Sequence, residues 1–254
     1  MDDPASGPWN MAVDEVLLAS AVRERRPTLR LYGWSQPTVS LGYFQPHAAR
    51  SQHPESLECP VVRRASGGGA IVHDREITYS LAVPAGLPLA TAPAALYRQV
   101  HLAFVRALAD VGIVARLHER QPPRPLNRSE FRSTTSFQRS RIEPFLCFER
   151  RAVGDILVGR DKVAGSAQRR RQGGVLQHGS LLLAASPAAP RLRGVHCLSG
   201  LCRSAAEWAD LFARSLALDL ALELEPEAVR SGERAGAERL AGERYASPAW
   251  TLRK

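Results

Sequence analysis

The strongest constraint on what this chain can fold into is the order in which two hydrophobic periods replace one another along it. A helical period runs over residues 9–26, with Trp9, Val13, Val16 and Leu17 on one face and Pro8 tolerated in the first turn. Strand-like alternation follows at LRLYGW (29–34) and TVSLGY (38–43), joined by SQP in the manner of a hairpin. A short β run, CPVVRR (59–64), precedes three glycines, then IVH (71–73) and the alternation EITYSLAV (76–83). A second helical period, 94–111, turns Leu96, Val100, Phe104, Leu108 and Val111 inward. Strand patterns return at GDILVG (154–159), KVAGSA (162–167) and GGVLQHGSLLL (173–183). The tail 204–245 reads as helical, with Trp208, Leu211, Phe212, Ser215 and Leu216 on one face before an Arg/Glu-rich amphipathic piece. Residues 118–144 are rich in Arg, Pro and Ser and read as a mobile surface loop. The chain has no internal repeat. Helix, strands, helix, strands, helices is not the regular alternation of a doubly wound fold. It predicts an α+β domain whose mixed, largely antiparallel sheet is packed with helices.

Composition narrows the class. With 254 residues, 44% of them apolar, the chain can bury a substantial core, and its charged fraction of 23% does not suit a disordered one. No run of ~18 apolar residues is present, so no membrane partner is expected. The acidic start MDDPASGPWNMAVDE does not resemble a secretory signal, and four scattered cysteines do not make a disulfide scaffold. A cytoplasmic location is expected. The net charge of +9 favours acidic partners, yet only 6% of residues are aromatic and no basic stripe is interleaved with them, so nucleic acid is not expected among them. Of 34 basic residues only Lys162 and the terminal Lys254 are lysine. A chain that uses arginine almost everywhere keeps one internal ammonium, a compact point charge that a planar guanidinium does not reproduce.

Three segments carry chemistry-bearing residues. In RRASGGGAIVHD (63–74), Gly67, Gly68 and Gly69 let backbone N–H groups approach a ligand, beside the charges of Arg63 and Arg64, with Ser66 before them and His73 and Asp74 after. A carboxylate, a phosphate or a thioester carbonyl would suit that cradle, and a plain turn between strands suits the bare glycines equally. The spacing matches neither a Walker loop nor a dinucleotide fingerprint. In GRDKVAGSAQRRRQGGVLQHGSLLL (159–183), Lys162 opens a strand whose small residues Ala164, Gly165, Ser166 and Ala167 leave room beside it, and His178-Gly179 lies on the next strand. An ion pair for the lysine and a core role for the histidine remain open. Cys147, in PFLCFER, would become a nucleophile beside positive charge from Arg150, Arg151 or Lys162 and is otherwise a buried thiol. Cys197 and Cys202 lack a second pair at zinc spacing, and Cys59 reads as structural, so no metal is expected.

Together these segments resemble the lipoate-protein ligase A / octanoyltransferase family, whose catalytic domain is shared with biotin protein ligases. RRASGGGAIVHD looks like that family's glycine loop, and KVAGSAQ (162–168) with LQHGSLLL (176–183) like its lysine strand and His-Gly strand. NMAVDEVLL (10–18), LRLYGW and ERLAGERYASPAW (238–250) also fit, so the resemblance spans nearly the whole chain as one catalytic domain. Within the family, Cys147-Phe148, fifteen residues before Lys162, is similar to the cysteine-dependent (LipM-type) octanoyltransferases, and the chain leaves no room for the ligases' small C-terminal domain. One departure is Gly154-Asp155, where that branch usually has tyrosine-glutamate.

The resemblance implies a fold, a reaction and roles. Octanoyl would pass from octanoyl-acyl carrier protein to Cys147 and then to a lysine of a lipoyl domain of a 2-oxoacid dehydrogenase or of glycine-cleavage H protein. Lys162 would stabilise the oxyanion and the thiolate. Arg64, Ser66, Gly67, Gly68, Gly69, His73, Gly165, Ser166, Ala167, His178 and Gly179 would line the substrate site. No cofactor and a monomeric enzyme are expected. An ATP-dependent lipoate ligase working through lipoyl-adenylate would need ATP and Mg and would not need Cys147. An amidotransferase between two lipoyl-type proteins would differ only in its donor.

Overall fold

The computed structural model describes residues 1–119, 143–171 and 173–253; the loop read at 118–144 lies almost wholly outside the described residues. The larger of two sheets has six strands, all antiparallel, in the order β1 (Thr28–Tyr32), β5 (Glu76–Pro84), β9 (Gly174–Leu182), β8 (Asp161–Arg171), β7 (Ile156–Val158) and β6 (Ala115–Leu117). The smaller has β2 (Thr38–Leu41) between β3 (Val61–Arg63), to which it is parallel, and β4 (Ile71–His73), to which it is antiparallel. The mixed, largely antiparallel α+β architecture is therefore present, divided between two sheets.

The hairpin read across 29–43 is not formed. Residues of β1 pair with β5, Leu31 opposite Tyr79, while β2 pairs only with β3 and β4. Alternation identifies a strand but not its partner. Here Trp34 bridges back to Ala5 at the chain's start, and Pro37, which has no N–H to give a ladder, carries the chain across to the second sheet. The strand β6 was not evident from the sequence, since three residues show no period.

Every residue of β5 is buried, and its two faces divide by chemistry. Ile77, Tyr79, Leu81 and Val83 meet the main core, formed with Leu96, Val100, Phe104 and Leu108 of α3 (Pro93–Ala109, after the short α2, Pro88–Thr91) and with Trp208, Phe212 and Leu216 of α5 (Ala205–Leu220, after α4, Val195–Ser199). Burying each such side chain contributes ~1.5–3 kcal/mol. Val111 lies just beyond α3 and is half-buried, and Ile113 fills the core there instead. The other face of β5 presents Glu76, Thr78 and Ser80 toward the side covered by α1 (Gly7–Glu24), with Ala82 packed on Leu18 and Ala21.

The tail is not one helix. Ala221 ends α5 in the left-handed region (φ 50°), and 222–230, containing Pro226, has no regular structure. Helix resumes at α6 (Ser231–Leu240), passes through a π-helical turn, Ala241–Tyr245, and ends at α7 (Pro248–Thr251). Ala237 and Tyr245 pack on α1 beside Met11, Val13 and Leu17, with Trp9 and Val16 against the same cluster, which is why α1 is apolar on two sides. Among the described residues no helix is long and apolar enough to cross a membrane.

Candidate active site

The site lies where the two sheets meet. Cys147 opens a 3-10 turn, and its N–H donates to the Ala70 carbonyl at 2.7 Å while the Ala70 N–H donates to Phe145 at 3.0 Å. The cysteine backbone is thus zipped onto the residue that follows the glycine run. A side chain at Gly69 would stand 3.1 Å from the Cys147 nitrogen and 3.2 Å from its Cα, so it would crowd the cysteine backbone, and Gly68 adopts φ +95°.

Lys162, near the start of β8, reaches the same point from the larger sheet. Its Nζ lies 3.1 Å from the Cys147 carbonyl oxygen, 3.7 Å from Sγ and 2.9 Å from Asp155 Oδ2, and both charged side chains are buried. Asp155 is fixed in turn by the Ala152 N–H at 2.6 Å and the Tyr97 hydroxyl at 3.3 Å. The ammonium is both a partner to a carboxylate and a donor to the thiol's neighbourhood. The two arginines read as charge sources for the thiol point elsewhere: Arg150 donates to the Pro144 carbonyl and pairs with Glu143, and Arg151 donates to the Arg160 carbonyl.

Arg64 shapes the opposite wall. Its guanidinium donates to the Ser40 carbonyl (2.9 Å) and hydroxyl (3.0 Å) and to the carbonyls of Gly67 (2.8 Å) and Gly69 (2.7 Å), fixing the glycine loop to β2. Burial pushes Arg64 down to about 10, opposed by the nearby Cys147 thiol, so it stays charged at neutral pH. Arg63 does not contribute charge to the loop. It is wholly buried and spends its donors on carbonyls of Gly42, Gln45, Thr251 and Arg253.

Between these walls is a cavity. Of the residues singled out from sequence, Arg64, Gly67, Gly68, His73, Cys147, Gly165, Ser166, Ala167, His178 and Gly179 line it. Ser66, Gly69 and Lys162 stand one layer behind. Met11, Tyr32, Ile71 and Phe148, which lie inside the quoted motifs but were not singled out as site residues, supply further wall.

Behind the wall, three polar arrays hold its side chains. Ser66 Oγ hydrogen-bonds His178 Nε2, and His178 Nδ1 faces Asp14 at 3.4 Å. Burial would raise the Asp14 carboxyl, but His178, Arg30 and Ser80 together hold it below the usual carboxylate range. Ser40 hydrogen-bonds His73 Nε2 at 2.8 Å, and His73 Nδ1 meets Glu76 Oε1 at 2.5 Å. Ser166 is held by Tyr79 and His101, both at 2.6 Å, and burial pushes His101 down to about 4, so it is neutral. Ser40, Glu76 and His101 carried no motif, and Asp14, in NMAVDEVLL, and Asp155, at the departure from the related branch, were given no role by sequence. For Glu76 a signal was present, because Glu76, Thr78 and Ser80 form a polar row at period two in a strand too apolar to face water. Among the described residues no cluster of three or more His, Cys, Asp or Glu is arranged to hold a metal ion.

Residues 6–191 match the model of the lipoyl protein ligase A/B catalytic domain family. The octanoyltransferase LipM of Kyrpidia tusciae is 34% identical over 98% of this chain and 96% of its own, and that of Symbiobacterium thermophilum 33% over 98% and 95%. Among solved structures, a lipoate-protein ligase A bound with ATP superposes with a TM-score of 0.76 at 20% identity, covering 99% of this chain and 96% of its own. A structure described as that of a bipartite lipoate protein ligase and its E2 lipoyl domain from Thermoplasma acidophilum gives 0.72 at 20% identity over 100% and 96%. At those identities the two structures speak for the fold.

Proposed function

The chain belongs to the lipoyl protein ligase A/B catalytic domain family, and from that premise we propose that it is an octanoyltransferase that carries the acyl group on Cys147. The observation that carries this reading is a thiol on the wall of a cavity with a buried ammonium 3.7 Å from its sulfur. The full-length relatives named octanoyltransferase point the same way.

The donor is octanoyl-acyl carrier protein. The Cys147 sulfur attacks the thioester carbonyl, and the carrier thiol leaves. Lys162 stabilises the negative charge that develops at the carbonyl oxygen and on sulfur, a preorganised contribution of ~2.7–4 kcal/mol per donor. The acceptor is a lipoyl domain, in keeping with the lipoyl-domain partner of the Thermoplasma ligase. Its lysine amine attacks the acyl-enzyme, the C–N bond forms, the C–S bond breaks, and the amide departs. A thioester-to-amide exchange runs downhill, so the reaction uses neither ATP nor Mg. Both protein partners are acidic by expectation, and net +9 steers their encounter. Four free cysteines accord with a reducing, cytoplasmic setting.

The test is to mix the protein with octanoyl-acyl carrier protein, without ATP, and read its intact mass and modified peptide. An octanoyl adduct on Cys147 that a lipoyl domain discharges is the expected result. Absence of the adduct, with acylation appearing only when ATP and free octanoate or lipoate are supplied, would hand the function to a ligase.

A further inference from the structure

Aminolysis of an acyl-cysteine needs a group that takes a proton from the attacking nitrogen. The proton can end on the departing Cys147 thiolate, but while the C–N bond forms that sulfur is still acylated. Lys162 is buried against Asp155 and bonded to the Cys147 carbonyl, and its ammonium is a donor without a lone pair to offer. A base on the cavity wall would take the proton at that stage and hand it on.

We propose that Ser40, His73 and Glu76 form a proton relay that takes that proton, with Ser40 as the group that touches the acceptor amine. This rests on the transferase reading above. Its direction is set from the carboxylate end. Glu76 Oε1 accepts from Thr78, itself held by the Trp34 indole N–H, and from Ser180, and takes the His73 Nδ1 proton at 2.5 Å, while Oε2 is buried without a partner among the described residues. In the neutral ring Nε2 is then an acceptor and takes the Ser40 hydroxyl hydrogen at 2.8 Å, and Arg64 donates to an Oγ lone pair at 3.0 Å. The result is carboxylate, imidazole and hydroxyl in the polarity that pulls a proton off an incoming nucleophile.

The step balances. The amine nitrogen passes one proton to Ser40 Oγ while the Ser40 hydrogen moves to His73 Nε2. His73 becomes an imidazolium held by the Glu76 carboxylate and stacked on the Trp34 indole, 3.9 Å between centroids, a face that attracts a cation. Solvent or the freed thiolate then discharges it. Ser40 and His73 both line the cavity, whereas Glu76 acts through His73 and is a positioning residue. The parallel array of Ser66, His178 and Asp14 fits the task less well. Its serine is behind the wall, and the His178–Asp14 contact is 3.4 Å.

The experiment isolates the second half-reaction. Wild type, Ser40→Ala and His73→Ala are loaded with octanoyl-acyl carrier protein, freed of donor, and discharged either with a lipoyl domain or with hydroxylamine, which is uncharged near neutral pH and small enough to pass its proton to solvent. The expected result, read on the adduct already formed whatever the rate of its formation, is a discharge by hydroxylamine that changes much less than discharge to the lipoyl domain. Discharge to the lipoyl domain falls ~100-fold or more in both variants, and added imidazole partly restores His73→Ala. Wild-type discharge to the lipoyl domain by either variant would overturn the relay. So would a parallel fall with hydroxylamine, which marks a role in shaping the cavity. Failure of wild type to form the adduct would overturn the transferase reading itself, and the relay with it.

Discussion

Lys162 must satisfy acceptors that lie in three directions: a carboxylate at 2.9 Å, a carbonyl at 3.1 Å and a sulfur at 3.7 Å. An ammonium does so with three rotatable donors, while a guanidinium carries its donors in one plane on a longer stem. Lys162→Arg is therefore expected to cut the rate of Cys147 acylation by roughly 10²-fold, read as adduct formation in a single turnover. Full activity in that variant would remove the claim that arginine cannot serve there. The same pocket tests its own tightness through Gly165, where an added Cβ would stand 2.7 Å from Lys162 Cε and 3.0 Å from both its Nζ and Asp155 Oδ1. Gly165→Ala should displace the ammonium and lower acylation by ~10–100-fold with the melting temperature little changed. An unchanged rate would mean that the pair relaxes without consequence for the thiol. At this scale the sequence was informative about Lys162, because one internal lysine stands out among 32 arginines, and marked Asp155 only as a departure from the related branch; its role is visible once Ala152, Tyr97 and Lys162 converge on it.

Elements here are joined as much by arginines as by apolar contact. Arg63 leaves β3 and donates to carbonyls of the turn after β2 and to those at the end of α7, groups that a helix terminus leaves without internal partners. Arg63→Ala would strand several buried carbonyls at ~1–3 kcal/mol each, so a loss of at least about 3 kcal/mol is expected in urea unfolding. Faster proteolysis near residue 250 should accompany it. A loss below about 1 kcal/mol would show that water replaces the guanidinium. This bond pattern also marks how far the elements were legible. The periods of α1, α3, β5, β8 and β9 emerged from sequence because each buries a continuous stripe. The division of β1 and β2 between two sheets did not, since β1 pairs with Thr78–Ala82 and β2 with Val61–Arg63 and Ile71–His73, all well beyond the local pattern. The break at 221–230 was hidden by helix-compatible residues on both sides of Pro226. The glycine loop was visible as a motif, and its purpose, to admit the Cys147 backbone, required the fold.

For the molecule as a whole, buried polar groups couple stability to pH in two separate windows. His101 is fully buried, donates through Nδ1 to the Gly154 carbonyl and accepts from Ser166, and burial lowers it from 6.5 to about 4. As pH falls below 6.5 the unfolded chain takes up this proton before the folded one does, so stability declines until pH reaches about 4. The slope is at most about 1.4 kcal/mol per pH unit, which sums to ~3 kcal/mol. For a chain of this length that corresponds to roughly 6–12 °C in melting temperature. His47 and His196 shift in the same direction, also through burial, but lie nearer the surface and add less. Asp14 acts lower on the scale. Its folded value is depressed, so its stabilisation is complete above the ordinary carboxylate range and is lost as pH drops through that lowered value. Melting temperatures between pH 7.5 and 4 should therefore fall steadily for wild type. For His101→Gln they should start lower, because the Gly154 and Ser166 bonds are disturbed, and then run flatter across the same interval. An equally steep decline in that variant would show that His101 is not the group whose protonation the folded state resists.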